Sequence, residues 1–136
     1  MSYNHLENVE HTVYRLYDKA DRLIYVGCTY DLEQRLQAHR RKMWWYYQTA
    51  RIVTETHPNR AEALRAETRI RDTEAPRWNV ESRWMMRHTF TEQMFLDYMT
   101  ALDNHPSKKY GSISRRLDKA RAEYEQRFGN NQHQAA

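Results

Sequence analysis

Two runs of β-forming residues, Thr12 to Tyr17 and Leu23 to Gly27, are separated only by the short, mostly polar stretch Asp18-Lys19-Ala20-Asp21-Arg22. A connection that short joins antiparallel neighbours and leaves no room for the crossover that a parallel pair needs. The fold therefore starts from a β-hairpin. Each run carries a tyrosine, Tyr14 and Tyr25, eleven positions apart. If residue numbers across the ladder sum to 39, the two tyrosines face each other and project from one side; a one-residue slip puts them on opposite faces.

A helix follows directly. Asp31 with Gln34 three residues later is a capping-box pattern, and the helix is expected to run to about Lys42. At 100° per residue Leu32 and Leu36 define its buried stripe, with Arg35 and His39 beside it, one turn apart. The aromatic cluster Trp44-Trp45-Tyr46-Tyr47 comes next, then a third strand from Arg51 to Thr56 and a turn at His57-Pro58-Asn59. Asn59 and Glu62 form a second capping pattern, for a helix through about Asp72. In that helix Glu67 falls within roughly 120° of arc shared with Ala63, Leu64 and Ile70. A carboxylate on an apolar face costs free energy unless it is paired or binds a metal. Pro76 stops the helix, and Asn79 opens a last short extended segment.

Composition sets limits. At 136 residues the chain suits one domain with an appendage, and 40% hydrophobic residues suffice for a core. Mean hydropathy of −1.08 and 29% charged residues imply a large wet surface. There is no run approaching the ~20 apolar residues of a membrane span, and the polar start Met1-Ser2-Tyr3-Asn4-His5 lacks the apolar stretch of a signal peptide, so a cytoplasmic protein is expected. The single cysteine, Cys28, excludes an internal disulfide and a cysteine-built zinc site. Net charge is only +4, but no acidic residue occurs from Gln34 to Thr54, where Arg35, Arg40, Arg41, Lys42 and Arg51 lie. That reads either as a solvated basic face or as a surface for nucleic acid.

Tyr14 in Thr-Val-Tyr, Tyr25 in Tyr-Val-Gly, Arg35 ten residues on and His39 four further together resemble a GIY-YIG endonuclease. Glu67, preceded by Glu62-Ala63-Leu64, and the closing Pro76-Arg77-Trp78-Asn79 are similar to the second half of the same module. The resemblance spans Thr12 to Val80. It implies an α+β fold, a small three-stranded antiparallel sheet flanked by helices. Here residues 1–82 would form the nuclease module and 83–136 a helical C-terminal extension. The sequence departs from the family at Thr12, which replaces a glycine, and at Cys28, where relatives often carry Ser or Lys. Any assistance such a lysine gives a tyrosine would fall here to another residue, with Lys42 a candidate.

What the resemblance implies is a divalent-metal-dependent DNA endonuclease. Tyr14 would be the general base, Tyr25 would position water or phosphate, Arg35 would clamp the scissile phosphate, and His39 would support base or phosphate. Glu67 would bind Mg2+ or Mn2+, and a lone carboxylate suits a hard cation that keeps several waters. Neither a small-molecule cofactor nor a membrane is expected, and a compact nuclease of this type would suit a phage or mobile element. Taken singly, the tyrosines read as half-buried strand residues, Arg35 and His39 as a solvated helix edge, and Glu67 as a structural ion pair with a buried arginine, Arg35 being one candidate. An inactive DNA-binding or structural module that kept the fold is the competing assignment. The aromatic cluster either stacks on bases or packs a connection onto the core, and Cys28 is expected as a small buried residue without a nucleophilic role.

For DNA contacts the candidates are Arg40, Arg41, Lys42 and Asn79, with Arg116 and Lys119 in the tail. From Arg83 onward nine Lys and Arg face six Asp and Glu, so that three of the four net charges lie there. Thr89 with Glu92 is expected to cap a helix whose Met94, Phe95, Tyr98 and Leu102 share a face. Leu117, Ala120, Tyr124 and Phe128 then mark a last amphipathic helix, on which Arg115, Arg116, Lys119 and Arg121 are free to face a phosphate backbone.

Overall fold

A computed structural model describes residues 6–78, 91–108 and 111–129. Among them are three strands, β1 (His11–Tyr17), β2 (Leu23–Thr29) and β3 (Arg51–His57). Helices α1 (Leu32–Lys42) and α2 (Arg60–Glu74) belong to the first part of the chain, α3 (Glu92–Asp103) and α4 (Gly111–Tyr124) to the second. A 3-10 turn, Trp44–Gln48, links α1 to β3. The chain divides into two compact units, Met1–Asn79 and Val80–Ala136.

In the first unit the strands form one antiparallel sheet in the order β2-β1-β3. The hairpin turn is built by Asp18. Its Oδ1 accepts from the backbone N–H of Ala20 and of Arg22, its Oδ2 from Arg22 Nε, and Asp21 takes a left-handed conformation with φ 64°. A register irregularity at Leu16/Tyr17 completes the turn. Partner numbers across the ladder sum to 41, so that Tyr14 opposes Gly27 and Leu16 opposes Tyr25. The expected sum of 39 is thus corrected by two residues. Because side chains alternate with a period of two, this shift keeps Tyr14 and Tyr25 on one face.

The opposite face carries Val13 and Val26, against which α2 packs Ala63, Ala66 and Ile70. Leu64, placed in this stripe by the sequence, is only half-buried. The helix caps are as read: Asp31 Oδ1 accepts from Gln34 N at 3.1 Å and Asn59 Oδ1 from Glu62 N at 2.9 Å. Beyond α2, Arg77 N–H and Trp78 N–H donate to the carbonyls of Leu23 and Ile24, extending the pairing along β2. No helix among the described residues is long and apolar enough to cross a membrane.

In the second unit α3 buries Phe95, Tyr98, Ala101 and Leu102, and α4 buries Ile113, Leu117 and Ala120. Tyr124 and Phe128, expected in the buried stripe of α4, are half-buried. The cap of α3 is Thr91, whose Oγ1 accepts from Met94 N at 3.2 Å, rather than Thr89, which lies outside the described residues.

Candidate active site

The tyrosine face of the sheet brings three of the sequence's candidates together, Tyr14, Tyr25 and His39, while Glu67 belongs to α2, the helix packed on the other face, and Arg35 to the exposed side of α1. Tyr14 is 1% exposed and its phenol oxygen lies 2.7 Å from His39 Nε2. Its ring lies 6.0 Å from the Tyr25 ring and 5.8 Å from the His39 ring, centre to centre. Room for this comes from the residue across the ladder: a Cβ on Gly27 would overlap the Tyr14 phenol oxygen. Glycine is therefore required opposite Tyr14 by contact, not by backbone conformation.

His39 corrects an expectation. The sequence put Leu32 and Leu36 in the buried stripe of α1, but both are half-buried, and the buried residue of that helix is His39, 2% exposed. The cause is the aromatic cluster. Trp45 stacks on Tyr25 at 4.8 Å with an interplanar angle of 24° and reaches His39 at 5.5 Å. Trp44 meets Trp78 edge-on at 4.8 Å. Of the two roles open to this cluster, packing a connection onto the core is the one Trp44 and Trp45 fill. Sequence reasoning missed Trp45 as part of the site; the residue type was visible, its partners were not.

Electrostatics divide the site. Burial holds the Tyr14 phenol far above its ordinary pKa; Tyr25 adds to the rise, Arg35 opposes it, and the negative charge of Glu67 adds again. Burial, reinforced by the positive charge of Arg35, pushes His39 down to about 4, so the imidazole is neutral at physiological pH. Cys28 is half-buried, and burial raises its thiol, with Glu67 raising and Arg60 and Arg35 lowering it; it is a thiol rather than a thiolate nucleophile. Arg35 itself is exposed on α1. Lys42, the candidate stand-in for a lysine at position 28, is exposed at the far end of α1, and the cation acting on Tyr14 is Arg35.

Glu67 sits between Ala63 and Ile70 on α2 with its side chain 13% exposed, and Arg71 Nη2 lies 3.1 Å from its Oε1. An ion partner thus lies one turn on in the same helix. Among the described residues no group of three or more His, Cys, Asp and Glu could hold a metal. This donor set does not suit zinc. A single half-buried carboxylate whose charge reaches the Tyr14 phenol does fit Mg2+ or Mn2+, which take oxygen ligands and fill the rest of their shell with water and phosphate.

A match to the GIY-YIG catalytic domain covers residues 10–81. The chain belongs to the GIY-YIG nuclease family. The GIY-YIG match takes in all five of the candidates Tyr14, Tyr25, Arg35, His39 and Glu67, and the sheet with its helices is the expected α+β fold. No curated protein and no solved structure matches the chain significantly.

The DNA-contact candidates divide as well. Arg40, Arg41 and Lys42 are exposed in the last turn of α1, with Arg40 also 5.9 Å from the centre of the Tyr46 ring. Lys119 is exposed on α4, whereas Arg116 is half-buried and its Nη1 donates to the Tyr98 hydroxyl at 3.5 Å. Arg121 and Lys108 both approach Asp103, at 3.9 and 2.9 Å. Asn79 lies outside the described residues.

Proposed function

We propose that this GIY-YIG protein is a divalent-metal-dependent DNA endonuclease whose reacting pair is Tyr14 and His39. The observation that carries the reading is their buried 2.7 Å contact, with the charges of Arg35 and Glu67 acting on Tyr14 in opposite directions. A phenol held protonated by burial is a weak base unless its own proton has somewhere to go. Neutral His39 supplies that place. As water attacks phosphorus, its proton passes to the Tyr14 oxygen while the Tyr14 proton passes to His39 Nε2; the bond from phosphorus to the leaving sugar oxygen breaks, that oxygen takes a proton from solvent, and His39 afterwards gives one back, which restores the resting pair. Arg35, exposed and cationic, binds the phosphate through its planar fork of donors, and this contact strengthens as negative charge builds. Tyr25 orients the water or phosphate.

Glu67 is the residue that would hold Mg2+ or Mn2+; when bound, the cation supplies Lewis-acid stabilisation of the developing charge. Its contact with Arg71, 3.1 Å away, holds the carboxylate in place until then. Arg40, Arg41 and Lys42 add contacts to the DNA backbone, as does Asn79, Lys119 of the second unit supplies a contact of its own, and residues 83–136 serve as an accessory helical extension. A setting in a phage or mobile element suits so compact a nuclease.

The test is cleavage of linear, flapped and branched DNAs in Mg2+, in Mn2+ and in chelator. The reading expects cleavage only with metal, and a Glu67→Ala protein that stays folded, binds Mg2+ more weakly and cleaves orders of magnitude more slowly. The fold survives because Arg71, 39% exposed, can rehydrate when its partner is gone. Undiminished turnover by Glu67→Ala would remove the metal-ligand role, and binding without cleavage of any substrate would favour an inactive module.

A further inference from the structure

Trp45 is none of the residues to which the family pattern assigns a reacting role, yet its indole touches two of them. It is 4% exposed, stacked on Tyr25 and tilted against His39, while Tyr25 meets His39 edge-on at 5.0 Å. The three rings brace one another, and Tyr14 joins through its contact with His39.

The support behind Trp45 is specific. Its 3-10 turn is clamped by Trp78, whose Nε1–H donates to Gln48 Oε1 at 2.9 Å and whose ring meets Trp44 edge-on. Trp78 in turn donates its backbone N–H to Ile24, next to Tyr25 on β2. The indole and the tyrosine it stacks on are therefore held from one strand. An aromatic that only sealed a connection would have no need to be tied to the strand that carries a reacting group.

We propose that Trp45 is a positioning residue of the cleavage site: its indole fixes the Tyr25 ring and keeps water off the His39 imidazole, so that Nε2 stays aimed at the Tyr14 phenol. This rests on the reading of Tyr14 and His39 as the reacting pair. The groups facing His39 are Tyr14 from β1, Tyr25 from β2, Trp45 from the turn and Arg35 from its own helix. Among these the charge is that of Arg35, which is solvent-exposed, so access of water governs how readily the imidazole takes a proton. Removing the indole opens that access.

The experiment compares the full chain with Trp45→Leu and Trp45→Phe, following the His39 imidazole by NMR titration and the single-turnover cleavage rate against pH in Mg2+. Wild-type His39 is expected to titrate near 4. In Trp45→Leu the midpoint should move toward the ordinary 6.5, and the acid limb of the rate should move with it, while DNA affinity at pH 8 is unchanged. Trp45→Phe should fall between. A folded Trp45→Leu protein with an unmoved His39 midpoint would overturn the proposal and leave Trp45 a packing residue. Should Trp45→Leu not fold, Trp45→Phe decides by the same criterion. If the wild type cleaves no DNA, the nuclease reading fails, and the titration still decides the role of Trp45.

Discussion

The Tyr14 phenol oxygen and His39 Nε2 lie 2.7 Å apart, although 25 positions separate the residues in the chain. Neither is open to solvent: Tyr14 is buried on the sheet and His39 is the buried residue of α1. Burial penalises charge on both, so the resting state is a neutral phenol beside a neutral imidazole. Such a pair is inert alone and ready to pass a proton once substrate and cation bring charge to it.

The closeness of Tyr14 to the β2 backbone makes Gly27 the most sensitive strand position. In Gly27→Ala the new methyl would occupy the place of the phenol oxygen, and the buried ring has little room to move aside. Overpacking of this kind costs about 1–3 kcal/mol, so thermal or denaturant unfolding should show a clear loss. Cleavage should fall further than stability, since displacement breaks the contact with His39. Wild-type cleavage by Gly27→Ala would mean that the ring position does not matter.

Acid should destabilise the protein through His39. The unfolded imidazole binds a proton below about 6.5, the folded one only below about 4. Between those values the unfolded chain holds one proton more, so lowering pH favours unfolding there, and above 6.5 this residue contributes no slope. Replacing His39 with Gln should flatten unfolding free energy against pH across that window. An unchanged slope would show that His39 titrates normally in the folded protein.

Arg35 should separate from its neighbours in kinetics. Arg35→Ala is expected to lower the single-turnover rate at saturating DNA by ~100-fold or more, as loss of a donor to developing charge does. Neutralising Arg40, Arg41 or Lys42 should instead weaken binding and reduce the salt slope by about one for each charge. A purely affinity-based effect of Arg35→Ala would make it an ordinary backbone contact.

Much of the first unit was legible because local chemistry decided it. Asp31 and Asn59 could act only as caps, and the short polar link forced a hairpin. The register was not legible to the residue, because the closure of the turn by Asp18 and the irregularity at Leu16/Tyr17 are three-dimensional events. The face of Tyr14 survived that error because a shift of two preserves alternation. Burial on α1 misled: periodicity ranked Leu32 and Leu36 first, whereas Trp45 from the next segment covers His39 instead. Glu67 was found as an apolar-face anomaly, but its pair with Arg71, one turn on in the same helix, was not foreseen. On α4 the charge pattern could not show that Arg116 turns inward to Tyr98.

That last contact changes what a charge reversal reads. Arg116→Glu removes the hydrogen bond to Tyr98 and should lower stability by about 1 kcal/mol, which confounds any binding loss. Lys119→Glu, on an exposed position, should leave unfolding unchanged and weaken DNA binding if the second unit contributes to it. Equal affinity of Lys119→Glu and wild type across a salt series would assign the DNA surface to the first unit.

The most direct measurement is the single-turnover cleavage rate of Tyr14→Phe at saturating DNA and Mg2+. Phenylalanine keeps the ring over Gly27 and deletes only the oxygen that meets His39. The account expects DNA affinity to hold while the rate falls by ~100- to 10,000-fold, the range for loss of a positioned general base. A folded Tyr14→Phe protein that cleaves at the wild-type rate would contradict it.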